Sequence, residues 1–270
     1  MQHAPLCRLA VAVVVSGLAA SPALAEVIYD SIPASLPPGI PSLRYELATA
    51  SELGDAIHFA GSARQLTSAT LTLGSAALRN AYPASGTAAG FVLPLTFNLY
   101  GALGGAVPGV GPLIASRTVS ADIPWRPEAD AGCGTGYLAG GACYDAAAFT
   151  VTVDLSGITA PNDIVYGLSF NTQDYGPSPY GAAGPYDQLG IALISSGPSI
   201  GTDIEPDALY LNTTFEPFAG SSIADVFSRD TGWSPNGLAV RFEATDVPEP
   251  GSALLLGGGL LGLTALRRRA

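Results

Sequence analysis

Hydrophobic and polar positions alternate along much of the chain with the period of a strand. In Leu66 to Gly74, Leu71 and Leu73 face one way while Thr70 and Thr72 face the other. Leu95 to Tyr100 places Leu95, Phe97 and Leu99 on one face. Comparable runs recur at Leu113 to Val119, Phe149 to Leu155, Ile164 to Phe170, Gly190 to Ile194 and Leu238 to Phe242. No segment keeps an apolar period of 3.6 with caps, and no repeat of fixed length is present, which disfavours solenoids and parallel α/β sheets. Short strands separated by Gly/Pro turns predict an all-β, antiparallel β-sandwich, jelly-roll-like or Ig-like. The glycine-rich stretch Gly101 to Gly111 is expected to be a flexible turn between two of these strands, since no Gly-Lys-Ser/Thr follows it.

The two ends break this pattern. Arg8 precedes the apolar run Leu9 to Ala20, and Ala23-Leu24-Ala25 follows as an A-x-A site. This is the layout of a secretory signal peptide cut between Ala25 and Glu26, and it implies the secretion translocon and signal peptidase as partners. Twelve apolar residues fall short of the roughly 20 that span a bilayer. At the other end, Val247-Pro248-Glu249-Pro250 leads into an apolar run, Ala253 to Leu266, and then Arg267, Arg268 and Arg269. Pro248 and Pro250 lack an N–H and fix φ, so they hold Glu249 in an extended segment open to a protease. As a helix, the apolar run reaches roughly 21 Å, less than a hydrocarbon core of about 30 Å, and Gly257, Gly258 and Gly259 weaken it. The three arginines favour a cytoplasmic C-terminus.

In this order the motif, the short transmembrane helix and the basic end resemble the PEP-CTERM sorting signal. The resemblance implies an exosortase, an integral-membrane transpeptidase-like enzyme, as processing partner. It also implies transient anchoring in the inner membrane, and bacteria that make extracellular polysaccharide. The chain then divides into a signal peptide (1–25), a passenger (26–246) and a sorting tail (247–270).

Composition narrows what the passenger can do. Of 22 acidic residues only Glu249 lies in the tail, and of 11 basic residues Arg8 and the three terminal arginines lie outside the passenger, which therefore carries seven arginines and a charge of about −14. Such a surface repels phosphate backbones, so nucleic acid is not an expected partner. The absence of lysine removes Schiff-base and P-loop chemistry. His58 is the passenger's single histidine, and no G-x-S-x-G, H-E-x-x-H or EF-hand pattern occurs, so no catalytic residue and no required cofactor is assigned. Cys133 and Cys143, an even pair after export, predict a disulfide that pins a glycine-rich loop.

Three further features bear on ligands. Asp203, Glu205 and Asp207 cluster within five residues, where a bent loop could gather their oxygens around Ca²⁺; a solvated acidic loop is the alternative. Tyr175, Tyr180 and Tyr186 fall in the Gly/Pro-rich loop Asn171 to Gln188, a candidate platform for extracellular polysaccharide, with packing along the sandwich edge as the alternative. A pair of carboxylates at the right separation would also serve a glycoside hydrolase. Finally, Tyr29-Asp30-Ser31-Ile32-Pro33, Phe59-Ala60-Gly61 with Leu66-Thr67-Ser68, Pro94 to Tyr100, Ile123 to Pro127, Gly184-Pro185-Tyr186 and Asp230 to Pro235 together resemble choice-of-anchor-type extracellular domains. That resemblance implies a single exported domain and carries over no catalytic residue. The expected function is an exported, non-catalytic surface or matrix protein, with a glycan-binding module and a carboxylate-based hydrolase as alternatives.

Overall fold

The computed structural model describes residues 24–48, 50–104, 109–170, 184–212 and 227–246. Its first strands are β1 (Glu26–Asp30), β2 (Ser42–Arg44), β3 (Glu52–His58), β4 (Gln65–Ser75), β5 (Gly90–Leu103) and β6 (Gly109–Pro124). The middle of the chain gives β7 (Tyr137–Ala139), β8 (Ala142–Tyr144), β9 (Ala147–Thr159), β10 (Asp163–Phe170) and β11 (Leu189–Ile194). The last are β12 (Thr202–Asp203), β13 (Ala208–Asn212), β14 (Phe227–Thr231), β15 (Gly237–Leu238) and β16 (Val240–Thr245). Among the described residues helix is confined to one turn, α1 (Tyr45–Ala48), and a 3₁₀ turn at Pro185–Gln188.

Two antiparallel seven-stranded sheets face each other. One runs β1-β16-β4-β11-β15, with β2 on β11 and β9 on β4; the other runs β14-β13-β3-β10-β5-β6, with β12 on β3. Six of the seven runs of alternation read from the sequence lie within single strands longer than the run, and the seventh, Leu238 to Phe242, is divided at Ala239 between β15 and β16. The exception to the reading is the glycine-rich segment: Gly101 lies in β5 and Gly109 and Gly111 in β6, so the hairpin continues well into it. The register there slips at Tyr100, and a Cβ on Gly111 would sit 2.4 Å from the Gly101 carbonyl oxygen. Glycine in this case permits close strand approach at a bulge rather than a flexible turn. Pro94, inside a strand paired on both sides, stands just where β10 ends, since the last β10 partner is Leu95.

The inward residues of both sheets merge into one core. Phe97 and Tyr166 come from the second sheet, Phe242 from β16 of the first, and Phe59 from the loop after β3; all are at most 1% exposed. Phe242 has ring centroids at 5.2 Å from Phe59, 5.6 Å from Tyr166 and 6.0 Å from Phe97. These edge and tilted contacts add to the burial of large apolar area. On the opposite face of the second sheet, Glu52 reaches across β10 to accept hydrogen bonds from Asn98 Nδ2 at 2.9 Å and Tyr100 OH at 3.1 Å on β5. Gly167 on β10 makes that reach possible, because a Cβ there would lie 2.1 Å from the Glu52 carboxylate.

Outside the sheets, β7 and β8 form a small hairpin closed by the Cys133–Cys143 disulfide, with Cα atoms 5.4 Å apart. The first strand begins at Glu26 and the last ends at Thr245, and the two pair antiparallel. Among the described residues no helix is long and apolar enough to cross a membrane. The signal segment through Ala23 and the tail 247–270 lie outside the described residues.

Replacing Phe242 by alanine removes the ring that joins the two sheets and is expected to cost about 3–5 kcal/mol, read as a lowered midpoint in urea unfolding. A loss below about 1 kcal/mol would contradict this packing.

Candidate functional site

Each residue singled out in the sequence now has a place or falls outside the described chain. Val247, Pro248, Glu249, Pro250, Arg267, Arg268 and Arg269 lie outside it, as do Tyr175 and Tyr180. Tyr186 is described: it sits in the 3₁₀ turn, half-buried, packed against the main core. Its ring folds back over Gly184, where a Cβ would come within 2.1 Å of it. Trp125 and Trp233 are likewise tied to the scaffold, their indole N–H groups donating to Thr87 O at 2.8 Å and to Asp230 Oδ2 at 2.9 Å. His58 ends β3 and pairs with Asp163 at 2.5 Å, both groups about half exposed, an arrangement worth little to stability.

The acidic cluster does not converge on one point. Glu205, buried, accepts from Arg229 Nε at 2.6 Å and from Tyr210 OH at 2.9 Å. Asp207, exposed, turns to the loop after β14, its Oδ1 accepting from Ser234 N at 3.2 Å. Asp203, partly buried, turns toward Gly237. Among the described residues no three His, Cys, Asp or Glu side chains are grouped to hold a metal ion, and the three acids of the cluster accept from separate donors: Glu205 N, Arg229 with Tyr210, and Ser234 N.

Asp203 meets a partner that sequence reasoning missed. Asp55 alternates with Leu53 and Ile57 on the core face of β3 and is 1% exposed. Its Oδ1 accepts from Ala56 N at 2.8 Å, and the Leu238 amide also bonds it. Oxygens of Asp55 and Asp203 both flank Gly237, at 3.9 and 3.4 Å from its Cβ position. Burial, then the neighbouring Asp203 charge, pushes the Asp55 carboxyl well above the ordinary aspartate value, against the pull of the two amides. Burial raises Asp203 too, opposed by the Glu205 N–H. The same acids, after burial itself, help raise the hydroxyls of Tyr29 and Tyr166. Asp203 opens on a cavity of about 440 Å³ beside Tyr29, Ser31 and Leu238, whereas Asp55 stays behind it. Only the inward phase of β3, in which an acid takes the place of an apolar residue, marked Asp55 in the sequence.

A second and larger cavity, about 800 Å³, lies under the disulfide hairpin. Arg44 and Arg126, which the sequence offered only as two of seven scattered arginines, both line it.

Comparison with known proteins gives one match. Residues 246–269 match the PEP-CTERM protein-sorting motif. It begins one residue after β16 ends, so the sorting signal follows directly on the last strand. It implies an exosortase as processing partner and is consistent with an exported protein that is transiently anchored in the membrane. No curated protein and no solved structure matches the chain.

The folded protein holds protons on Asp55 and Asp203 more tightly than the unfolded chain does. Their contribution to stability is therefore complete below the ordinary aspartate value of 3.8 and is lost as pH rises through the raised folded values. Asp55→Asn, which keeps an acceptor for the two amides, is expected to raise the unfolding midpoint at pH 8 and leave it nearly unchanged at pH 4. An equal change at both pH values would contradict the assignment.

Proposed function

We propose that the chain is an exported, non-catalytic protein of the cell surface or extracellular matrix, whose tail anchors it transiently in the inner membrane and is then removed by an exosortase. The observation that carries this reading is the sorting motif at 246–269, placed immediately after the strand that completes the sandwich. Several features support it. The passenger carries a structural disulfide, which persists in oxidising compartments. Its strong negative charge suits solubility outside the cell. The segment through Ala25 has the layout of a signal peptide, and β1 starts at the following residue, Glu26. The non-catalytic part of the reading draws on the acid pair at Gly237. Asp55 is enclosed and bonded to two amides, and Asp203 bonds Glu205 N, so both serve the joint between β3, β12 and β15.

Intact mass and fractionation of the protein from its native host test this directly. Wild type is expected to lack the C-terminal segment and to leave the membrane fraction, while Glu249→Ala retains the full tail and stays membrane-held. A full-length tail in both would overturn exosortase processing.

A further inference from the structure

The cavity beneath the disulfide hairpin has a chemistry opposite to that of the rest of the passenger. Arg44 ends β2, and its Nη1 donates to Gln188 Oε1 at 2.7 Å. Arg126 follows β6 and is fixed there by its backbone, which donates to Ala77 O at 2.8 Å. Its Nη1 donates to Thr135 O at 2.6 Å, yet its Nε is buried with no hydrogen-bond partner. Arg126 is only 7% exposed, and among the described residues neither arginine has an ion-pair partner. A buried guanidinium without a counter-charge is costly, and the cost is tolerated where an incoming anion completes it. A guanidinium that spends one Nη1 hydrogen bond on the Thr135 carbonyl keeps further N–H donors, and such a group matches the oxygens of a carboxylate.

We propose that this cavity binds a carboxylate-bearing sugar, a uronic acid residue with an uncharged neighbour. Asp145 also lines the cavity, so the two arginines and this acid leave one net positive charge, which suits a single carboxylate better than a phosphate dianion. The strongly negative passenger further disfavours multiply charged ligands. The remaining wall holds the half-buried Tyr144 ring, the Ser42 hydroxyl and the Gln188 amide, an aromatic face with polar groups around it that fits a polyhydroxylated body. About 800 Å³ accommodates a disaccharide. The disulfide and the Tyr137–Tyr144 ring contact at 5.9 Å hold the roof of the cavity in place before any ligand arrives. This site is independent of how the tail is processed.

Isothermal titration of the exported protein with an aldobiouronic acid, its methyl ester and citrate tests the proposal. The acid is expected to bind, with affinity falling as salt rises, and the ester to bind at least tenfold more weakly. Arg126→Gln and Arg44→Gln should each weaken the acid at least tenfold. Arg44 is only partly buried, so its variant answers the question even if Arg126→Gln fails to fold. Asp145→Asn should tighten binding. No binding of the acid, equal binding of acid and ester, citrate binding as well as the acid, or an unchanged Arg44→Gln affinity would each overturn the proposal.

Discussion

The contact of Phe242 with rings of the facing sheet brings the last strand of the passenger into the centre of its core, and most of the architecture follows from that. β16 lies between β1 and β4, so the residues just before the sorting tail are flanked on one side by the first strand of the passenger and on the other by the inner strand β4. A sandwich built this way cannot close until its final residues are available. The chain then leaves the sheet at Thr245 and the sorting motif starts at the next residue. The folded body and the sorting motif thus share a boundary.

Buried charge is handled in three ways. Glu205 is ion-paired with Arg229, Glu52 is satisfied by an amide and a hydroxyl, and Asp55 is shifted toward its neutral form. Arg126 fits none of these, since its Nε has no partner at all. That contrast separates the cavity under the hairpin from the acid pair near Gly237, whose polar atoms are already used by the scaffold.

Much of the sandwich could be read from alternation because its inner strands bury one face and keep the other polar. β4, β5 and β9 announced themselves in this way, whereas β10 is buried on both faces beyond Asp163 and was marked by its apolar run. β12 and β14 did not: the first has two residues, and the second, Phe227–Thr231, buries only Phe227. β13 is buried at every position, so it has no alternation to read. Sequence proximity says nothing about where each side chain of the acid cluster at 203–207 turns, and the partners that divide it, Arg229, Ser234 and Asp55, are distant in the chain. Arg44 and Arg126 meet at one cavity only through long-range pairing. The disulfide was legible because export leaves two cysteines and one pairing.

Native-state hydrogen exchange on the exported protein tests most directly whether the last strand belongs to the folding core. Amides of Arg241 to Ala244 are expected to exchange only through global unfolding, as slowly as those of β5 and β10. Rapid exchange along β16 while β5 and β10 stay protected would contradict the account, because the tail would then hang from a detachable edge and not from a closed sandwich.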